Sequence, residues 1–215
     1  RQFLRRGLGE RLSQGWRGIV DRHAETDPQA LDATTMGRRR LANLAYAYLA
    51  ADGSGAGRAL AYARFRHARN MTESMGGLRA LMDCPCEERE AALAAFEVRW
   101  KDEPLVLDKW FSLQAASCLP GALDQVKRLM DHPGFNLRNP NRVRALIGAF
   151  ATANPVHFHA ADGSGYQFLA DQVLALDPLN PQVAARLVKS LSRFKRYDPS
   201  RQQLMKQALK RIVDT

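Results

Sequence analysis

The sequence predicts an all-α fold, and three observations support this prediction. Apolar residues recur at the i, i+3, i+4, i+7 spacing of one-sided helices through most of the 215 residues. An acidic or amide residue followed by proline recurs along the chain, and this pair is a typical helix start. No run of alternating β-branched residues indicates a strand. Because the connections are short, neighbouring helices are expected to be antiparallel, which favours a curved, superhelical stack of helix pairs.

The first half of the chain carries five apolar stripes separated by turn-forming residues. Asp27-Pro28 follows the first stripe, and the turn Asp52–Gly55 ends the second. Asn70 restarts the chain before a methionine-rich stripe. Glu87, Glu88 and Glu90 occupy a first helical turn, where the helix dipole favours negative charge. The predicted helices take residues 3–20, 35–50, 56–69, 71–82 and 84–100.

The second half begins with a helix that opens at Glu103-Pro104, followed by one that starts after Leu119-Pro120-Gly121. Three amphipathic helices follow between residues 139 and 196, and a last helix starts at Asp198-Pro199. The segment Asp162–Gly165 provides the turn into one of them. The recurring start signal occurs at Asp27, Glu103, Asn139, Asp177, Asn180 and Asp198, each of which precedes a proline.

The composition is that of an ordinary packed domain, with 46% hydrophobic and 25% charged residues, and we expect a single domain over residues 1–215. No apolar stretch reaches the roughly 18–20 residues that span a bilayer, so no membrane partner is predicted. Cys84-Pro85-Cys86 and Cys118 form no C-x-x-C pair, which favours a reduced, cytoplasmic protein. The chain does not begin with Met, and we expect it to be part of a longer polypeptide.

The net charge of +10 invites a nucleic-acid interpretation. The basic residues, however, are spread at helical spacing, and the only run of three is Arg38–Arg40. This distribution favours solvated and interface-facing arginines, and nucleic acid is disfavoured as a partner. An acidic neighbouring domain could also face part of this charge.

Motifs for catalysis or metal binding are absent from the sequence. None of the five histidines lies in H-E-x-x-H, and no G-x-S-x-G elbow or partnered cysteine is present. His157 and His159 could form a metal pair only on an extended backbone, and structural roles are favoured; His159 could instead fix the loop before Asp162. The two Asp-Gly-Ser-Gly loops are better explained as tight turns into helices than as anion cradles. The residues therefore predict no catalytic residue and no metal ligand.

Three segments closely resemble the C-terminal helical domain of bacterial alanyl aminopeptidases, also called aminopeptidases N, of the M1 zinc metallopeptidase family. They are Asn70-Met71-Thr72, the segment 108–115 (Asp-Lys-Trp-Phe-Ser-Leu-Gln-Ala) and the stretch 139–187. Lys195–Asp198 followed by Arg201-Gln202 also fits, and the similarity spans roughly residues 30 to 212. The resemblance implies an armadillo- or HEAT-like superhelix of helix pairs.

The same resemblance implies a function for the parent protein. These enzymes remove N-terminal residues from peptides, and an upstream domain holds their zinc with H-E-x-x-H and binds the substrate amine with G-x-M-E-N. Neither motif occurs in these 215 residues. The chain is therefore expected to be a cap that closes over its own catalytic domain and restricts access to peptides. By itself it would be inactive and hold no cofactor, while zinc belongs to the parent.

The resemblance also gives candidate substrate-channel residues: Arg144 in N-P-N-R-V-R, and Gln182 and Arg186 in N-P-Q-V-A-A-R-L. Gln182 and Arg186 are four positions apart, so they share one helix face. A guanidinium suits a peptide carboxylate or carbonyl. Two alternatives remain open. Arg186 could instead cap a neighbouring helix or pair with an acidic side chain. The whole chain could instead be a stand-alone helical-repeat module that binds protein or nucleic acid.

Overall fold

A computed structural model describes residues 2–23 and 27–214, and these residues contain helices and turns but no strand. The all-α prediction is therefore confirmed. The helices are α1 (Gln2–Arg11), α2 (Ser13–Arg22), α3 (Ala33–Ala51), α4 (Gly55–Arg66), α5 (Met71–Leu81), α6 (Glu87–Trp100), α7 (Pro104–Ala115), α8 (Ala122–Met130), α9 (Pro140–Val143), α10 (Ala149–Ala153), α11 (Pro155–Phe158), α12 (Ser164–Leu176), α13 (Pro181–Val188) and α14 (Pro199–Val213). None of them combines the length and the apolar character that a membrane crossing requires.

The chain divides into two compact units, Arg1–Arg99 and Trp100–Thr215. The prediction that residues 1–215 act as one domain stays a prediction. In the first unit, α3, α4 and α5 pack closely because glycines stand at their contacts. A Cβ added to Gly57 would lie 1.9 Å from the Leu49 carbonyl oxygen, and one added to Gly77 would lie 2.5 Å from the Phe65 nitrogen. Any larger residue at these positions would force the helices apart.

Four of the six proline-linked start signals begin a helix where predicted. Pro104, Pro140, Pro181 and Pro199 each occupy the first position of a helix. No helix begins at the other two signals. Asp27 precedes a turn, and α3 begins later because the Asp32 side chain accepts from the Thr35 N–H at 2.9 Å. Asp177 closes α12 rather than opening a helix.

The single helix predicted over residues 3–20 is divided at Leu12 into α1 and α2. Gly9 is buried, and a Cβ there would lie 2.4 Å from the Tyr48 carbonyl oxygen, so α1 approaches α3 through this glycine. The Trp16 ring stacks on Tyr48, with centroids 4.4 Å apart. Contacts with α3 therefore fix both short helices, although four glycines weaken their intrinsic helix propensity.

The core of the second unit contains a cluster of aromatic rings in edge-to-face contact. Phe150 meets Phe158 and Phe168, and Phe158 meets Tyr166, with centroids 5.4–6.0 Å apart. All four residues are buried. This geometry is favourable for aromatic quadrupoles, and it joins α10, α11 and α12.

Candidate functional site

Arg144 lies where an α-helix changes into a π-helical turn. Asn139 caps the start of α9 and accepts from the N–H groups of Asn141 and Arg142. The π turn Arg144–Gly148 follows and leads into α10, with the Ala149 N–H donating to the Arg144 carbonyl. The Arg144 side chain is exposed, and its Nη2 donates to Asn141 Oδ1 at 2.6 Å. Asn141 therefore orients the guanidinium.

Hydroxyl groups support the backbone of this π turn from two sides. Ser112 Oγ lies 2.9 Å from the carbonyl oxygens of both Ala145 and Asp108, and it donates its single hydrogen to one of them at a time. Thr152 Oγ1 donates to the Gly148 carbonyl at 2.7 Å. The Ala145 and Gly148 carbonyls of the turn therefore each have a hydroxyl within hydrogen-bond distance. Turns of this kind are frequent at functional sites, and this one holds Arg144 on a fixed backbone.

Gln182 and Arg186 project from the solvent face of α13. The Asn180 side chain caps this helix by accepting from the Val183 N–H at 3.1 Å. Val183, Ala184 and Leu187 are buried on its inner face, whereas Gln182 and Arg186 are exposed. Arg186 has no hydrogen-bond or ion-pair partner within residues 2–23 and 27–214. The alternative in which it caps a helix or pairs with an acid is not observed in that part of the chain.

The π turn and α13 are neighbours. A Cβ built on Gly148 would lie 3.8 Å from Leu187 Cδ2 and 3.9 Å from the Arg144 Cβ. Leu187 directly follows Arg186, so the segment that carries Arg144 and the helix that carries Arg186 meet at Gly148. Arg144 and Arg186 each expose a guanidinium to solvent, and guanidinium donors suit carbonyl and carboxylate oxygens.

His157 and His159 have structural roles. His157 lies in the helical turn α11, and its Nε2 is 3.2 Å from the Cys118 carbonyl oxygen. The two ring nitrogens of His159 are each 2.8 Å from a tyrosine hydroxyl, that of Tyr166 and that of Tyr197. Arg201 Nε donates to the His159 carbonyl at 2.7 Å. His159 therefore fixes the loop before Asp162, one of the roles that the sequence suggests for it.

Electrostatics agree with a structural His159. Burial lowers its pKa, and the charge of Arg201 lowers it further. In the neutral ring one nitrogen accepts from a tyrosine and the other donates to one. No group of three or more His, Cys, Asp or Glu residues that could hold a metal ion occurs in the described parts of the chain.

Cys84 and Cys86 lack the surroundings that activate a thiol. Burial raises the pKa of Cys84 to about 11, and its Sγ lies 3.3 Å from the Ala50 carbonyl oxygen. Burial also raises the pKa of Cys86. A reactive thiol needs a lowered pKa. The open cleft lined by Cys86, Arg58, Tyr62 and Glu88 therefore presents a thiol whose pKa is raised rather than lowered.

A family of ARM-repeat domains, described as a domain of unknown function (DUF3458_C), matches residues 1–215. The chain belongs to this ARM-repeat family. The match agrees with the predicted armadillo-like helical repeats.

Curated relatives of this ARM-repeat domain are aminopeptidases N. The Caulobacter vibrioides protein is 46% identical over 182 residues, which cover 85% of this chain and 21% of the relative. The proteins of Haemophilus influenzae and Escherichia coli are 39% and 37% identical over 212 residues, which cover 99% of the chain and 24% of each relative. The chain thus spans about a quarter of their length. The predicted resemblance to the C-terminal helical domain of bacterial aminopeptidase N is confirmed.

A solved structure has the same fold. The crystal structure of Legionella pneumophila aminopeptidase A in complex with aspartic acid superposes with a TM-score of 0.90 at 35% identity. The similarity covers 100% of this chain and 26% of that one. The homologous region of an aminopeptidase therefore has the same arrangement of helices.

The structure adds one residue to the candidate site of this ARM-repeat domain. Asn141 holds Arg144 through its amide oxygen, and the sequence analysis did not select it. The available signal was the i, i+3 spacing of Asn141 and Arg144 on one helical face. The roles of Arg144, Gln182 and Arg186 in a substrate channel stay predictions.

Proposed function

We propose that this chain is the helical cap of a zinc aminopeptidase that removes N-terminal residues from peptides in the cytoplasm. In this proposal the domain contacts the catalytic domain of its own polypeptide and shapes the substrate cavity and its access channel. The family match over all 215 residues, with relatives that are aminopeptidases N, carries the proposal. The chain covers only 21–24% of those relatives. In this proposal the catalytic groups therefore lie in the rest of the longer polypeptide.

The described residues do not fit a zinc site, since they include no group of three or more possible metal ligands. Zinc, in this proposal, is held by residues elsewhere in the polypeptide. The contribution of this chain is to bind and orient the part of the peptide that lies beyond the cleaved bond. Such positioning lowers the entropic cost of reaching the reactive geometry.

Arg144, Gln182 and Arg186 are proposed to contact that distal part of the substrate. Arg186 is exposed and has no partner in the described parts of the chain, so its donors are available. Arg144 is exposed and held by Asn141. A peptide that extends past the first residue offers carbonyl oxygens to these donors, whereas a single-residue arylamide is too short to do so.

Arg186→Ala in the full-length polypeptide should raise KM for peptides of four or more residues. The loss of one hydrogen bond from a charged donor at an exposed site corresponds to about 0.5–1.5 kcal/mol, or roughly a two- to tenfold change in KM. The kcat should change little, because the contact is made equally in the ground and transition states. Steady-state kinetics on alanyl peptides and on alanyl-arylamide would compare the two substrate classes, and the arylamide should be unaffected.

Arg138→Ala is the matched control, because Arg138 is an exposed arginine of the same unit outside the proposed channel. It should leave both substrates unchanged. A zinc chelator should abolish peptide hydrolysis by the wild-type protein. An equal effect of Arg186→Ala on peptides and arylamide would refute the distal role, and the absence of any zinc-dependent release of N-terminal residues would refute the parent activity.

A further inference from the structure

A basic surface follows α13 in the chain. The twenty residues 178–197 contain Arg186, Lys189, Arg193, Lys195 and Arg196 but no Asp or Glu. A further cation joins them from α14, where Lys206 Nζ lies 5.4 Å from the centroid of the Phe194 ring. All six side chains are exposed. We name the five residues beyond Arg186 (Lys189, Arg193, Lys195, Arg196 and Lys206) the basic surface.

Acidic side chains do not compensate this charge. Asp198 is the first acid after the segment, and its carboxylate is already engaged by Arg201 Nη1 at 2.9 Å and by the Arg201 N–H at 3.1 Å. No member of the basic surface has an ion-pair partner within the described residues. A cluster of uncompensated cations produces a local positive potential that attracts anionic partners.

The backbone that carries these cations is held by tight turns. Ser192 and Arg196 donate through their N–H groups to carbonyls three residues earlier, and Ser192 Oγ donates to the Lys189 carbonyl at 2.8 Å. Leu191 is fully buried and anchors the segment. The charged side chains therefore project from a fixed backbone, and an anionic partner does not need to order this segment when it binds.

Carboxylates suit this surface better than nucleic acid does. Single-stranded nucleic acids bind by stacking on exposed aromatic rings as well as by phosphate contacts. Of the two rings in the segment, Phe194 is covered by Lys206, and the Tyr197 hydroxyl is bonded to His159. The neighbouring Arg186 belongs to the proposed peptide-contacting surface, so extended peptides would pass nearby.

We propose that the basic surface binds acidic peptide segments, so that the parent enzyme favours peptides carrying Asp or Glu downstream of the cleaved residue. This inference rests on the proposed function, because an aminopeptidase would bring peptide substrates to this surface. It predicts binding that is driven by charge and weakened by salt.

The test measures binding without turnover. The probe is an octaglutamate peptide with an acetylated N-terminus, which an aminopeptidase cannot cleave, and a fluorophore at its C-terminus. Fluorescence anisotropy with the full-length polypeptide should show binding at about 0.05 M salt and at least about fivefold weaker binding at about 0.2 M. An acetylated octaglutamine peptide of the same design should bind much more weakly at both salt concentrations.

A variant with Lys189, Arg193, Lys195 and Arg196 all changed to Gln should weaken octaglutamate binding by at least about fivefold, as expected from four exposed charge contacts. The matched control changes four other exposed cations of the same unit, Lys101, Lys109, Lys127 and Arg138, to Gln. It removes the same net charge and should retain most of the binding. Circular dichroism would verify that both variants are folded.

Three outcomes would overturn the proposal: no octaglutamate binding at low salt, equal weakening by the control variant, or tight binding of a twelve-nucleotide RNA without binding of octaglutamate. Each outcome is independent of the parent activity, because the probe is not hydrolysed. Failure of the proposed aminopeptidase function would appear instead as missing turnover of unblocked peptides.

Discussion

Arg142 is buried although it carries a full charge, and its partners explain why. Its Nε donates to the Gly134 carbonyl at 2.7 Å, and its Nη1 lies 2.8 Å from the Pro104 carbonyl and 2.5 Å from the Asp108 carboxylate. The guanidinium also lies over the Phe111 ring, 5.3 Å from its centroid. One side chain thus joins the starts of α7 and α9 to the loop before α9.

Arg142→Met should destabilise the protein by about 3 kcal/mol, because it leaves the Asp108 carboxylate and two carbonyls without their donor. Arg142→Lys should recover little of this loss, since an ammonium cannot reproduce the planar fork. Urea unfolding followed by circular dichroism would measure both variants. Arg144→Met is the control and should stay within about 0.5 kcal/mol of wild type, because that side chain is exposed. A similar loss of unfolding free energy in Arg142→Met and Arg144→Met would contradict this account.

The sequence could not distinguish these two arginines by burial. Both belong to N-P-N-R-V-R, and a charged residue is expected to be exposed unless it has partners. The partners of Arg142 come from residues 104, 108 and 134, which only the folded chain brings together. The resemblance to a known family selected Arg144, and the structure places Arg144 on the surface.

Helix starts were predicted well where the signal is local. An amide or acid that caps a helix and a proline at its first position both act within a few residues, and the starts of α9, α13 and α14 follow this rule. The π turn at residues 144–148 was not predicted. Its support comes from Ser112 in another helix, and no local pattern records that contact.

The contacts of His159 join α14 to the segment before α12. Its ring lies between the hydroxyls of Tyr166 on α12 and Tyr197 before α14, and Arg201 on α14 bonds its carbonyl. Tyr166, Tyr197 and Arg201 are the titratable or charged groups that face it, with Asp198 paired to Arg201. The neutral ring fits this arrangement because it both donates and accepts.

Stability should fall as the pH decreases below about 6.5, the ordinary pKa of histidine. Because burial and then Arg201 lower the pKa of His159 in the folded state, the unfolded state binds a proton first. The stabilising contribution is therefore complete above the unfolded pKa and is lost as the pH falls through the folded pKa. Thermal unfolding between pH 7.5 and 5.0 should show this decline in wild type and a smaller one in His159→Gln.

Tyr197→Phe is the companion variant, because it removes one hydrogen bond of His159 and leaves both the imidazole and the aromatic ring at position 197 in place. It should cost about 1 kcal/mol at pH 7.5. Equal pH dependence of wild type and His159→Gln in this range would show that His159 does not control it.

The fold class was predictable for the whole chain because helical periodicity is repeated in nearly every segment. The division into the units Arg1–Arg99 and Trp100–Thr215 was not predicted, since it depends on how contacts are distributed after folding. The sequence also gave no indication of which apolar residues remain exposed. The periodic pattern identifies an apolar face, but it does not show whether a neighbour covers that face.

Exposed apolar side chains are concentrated at the beginning of the first unit. Of the thirteen exposed large hydrophobic residues in the described parts of the chain, eight lie between residues 3 and 44: Phe3, Leu4, Leu8, Leu12, Leu31, Met36, Leu41 and Leu44. Phe3 is 86% and Leu31 76% exposed. Exposed apolar surface of this kind favours association.

The 215-residue chain, when produced by itself, should therefore bind the dye ANS and self-associate as its concentration rises. Sedimentation velocity would measure the mass, and changing Phe3, Leu4 and Leu8 together to Ser should reduce both dye binding and association. The control changes Leu105, Val156 and Val213 to Ser; these residues are 55–81% exposed but lie far apart in the sequence, and this variant should behave as wild type. A concentration-independent monomer, or an equal response of both variants, would show that the exposed residues near the start of the chain do not drive association.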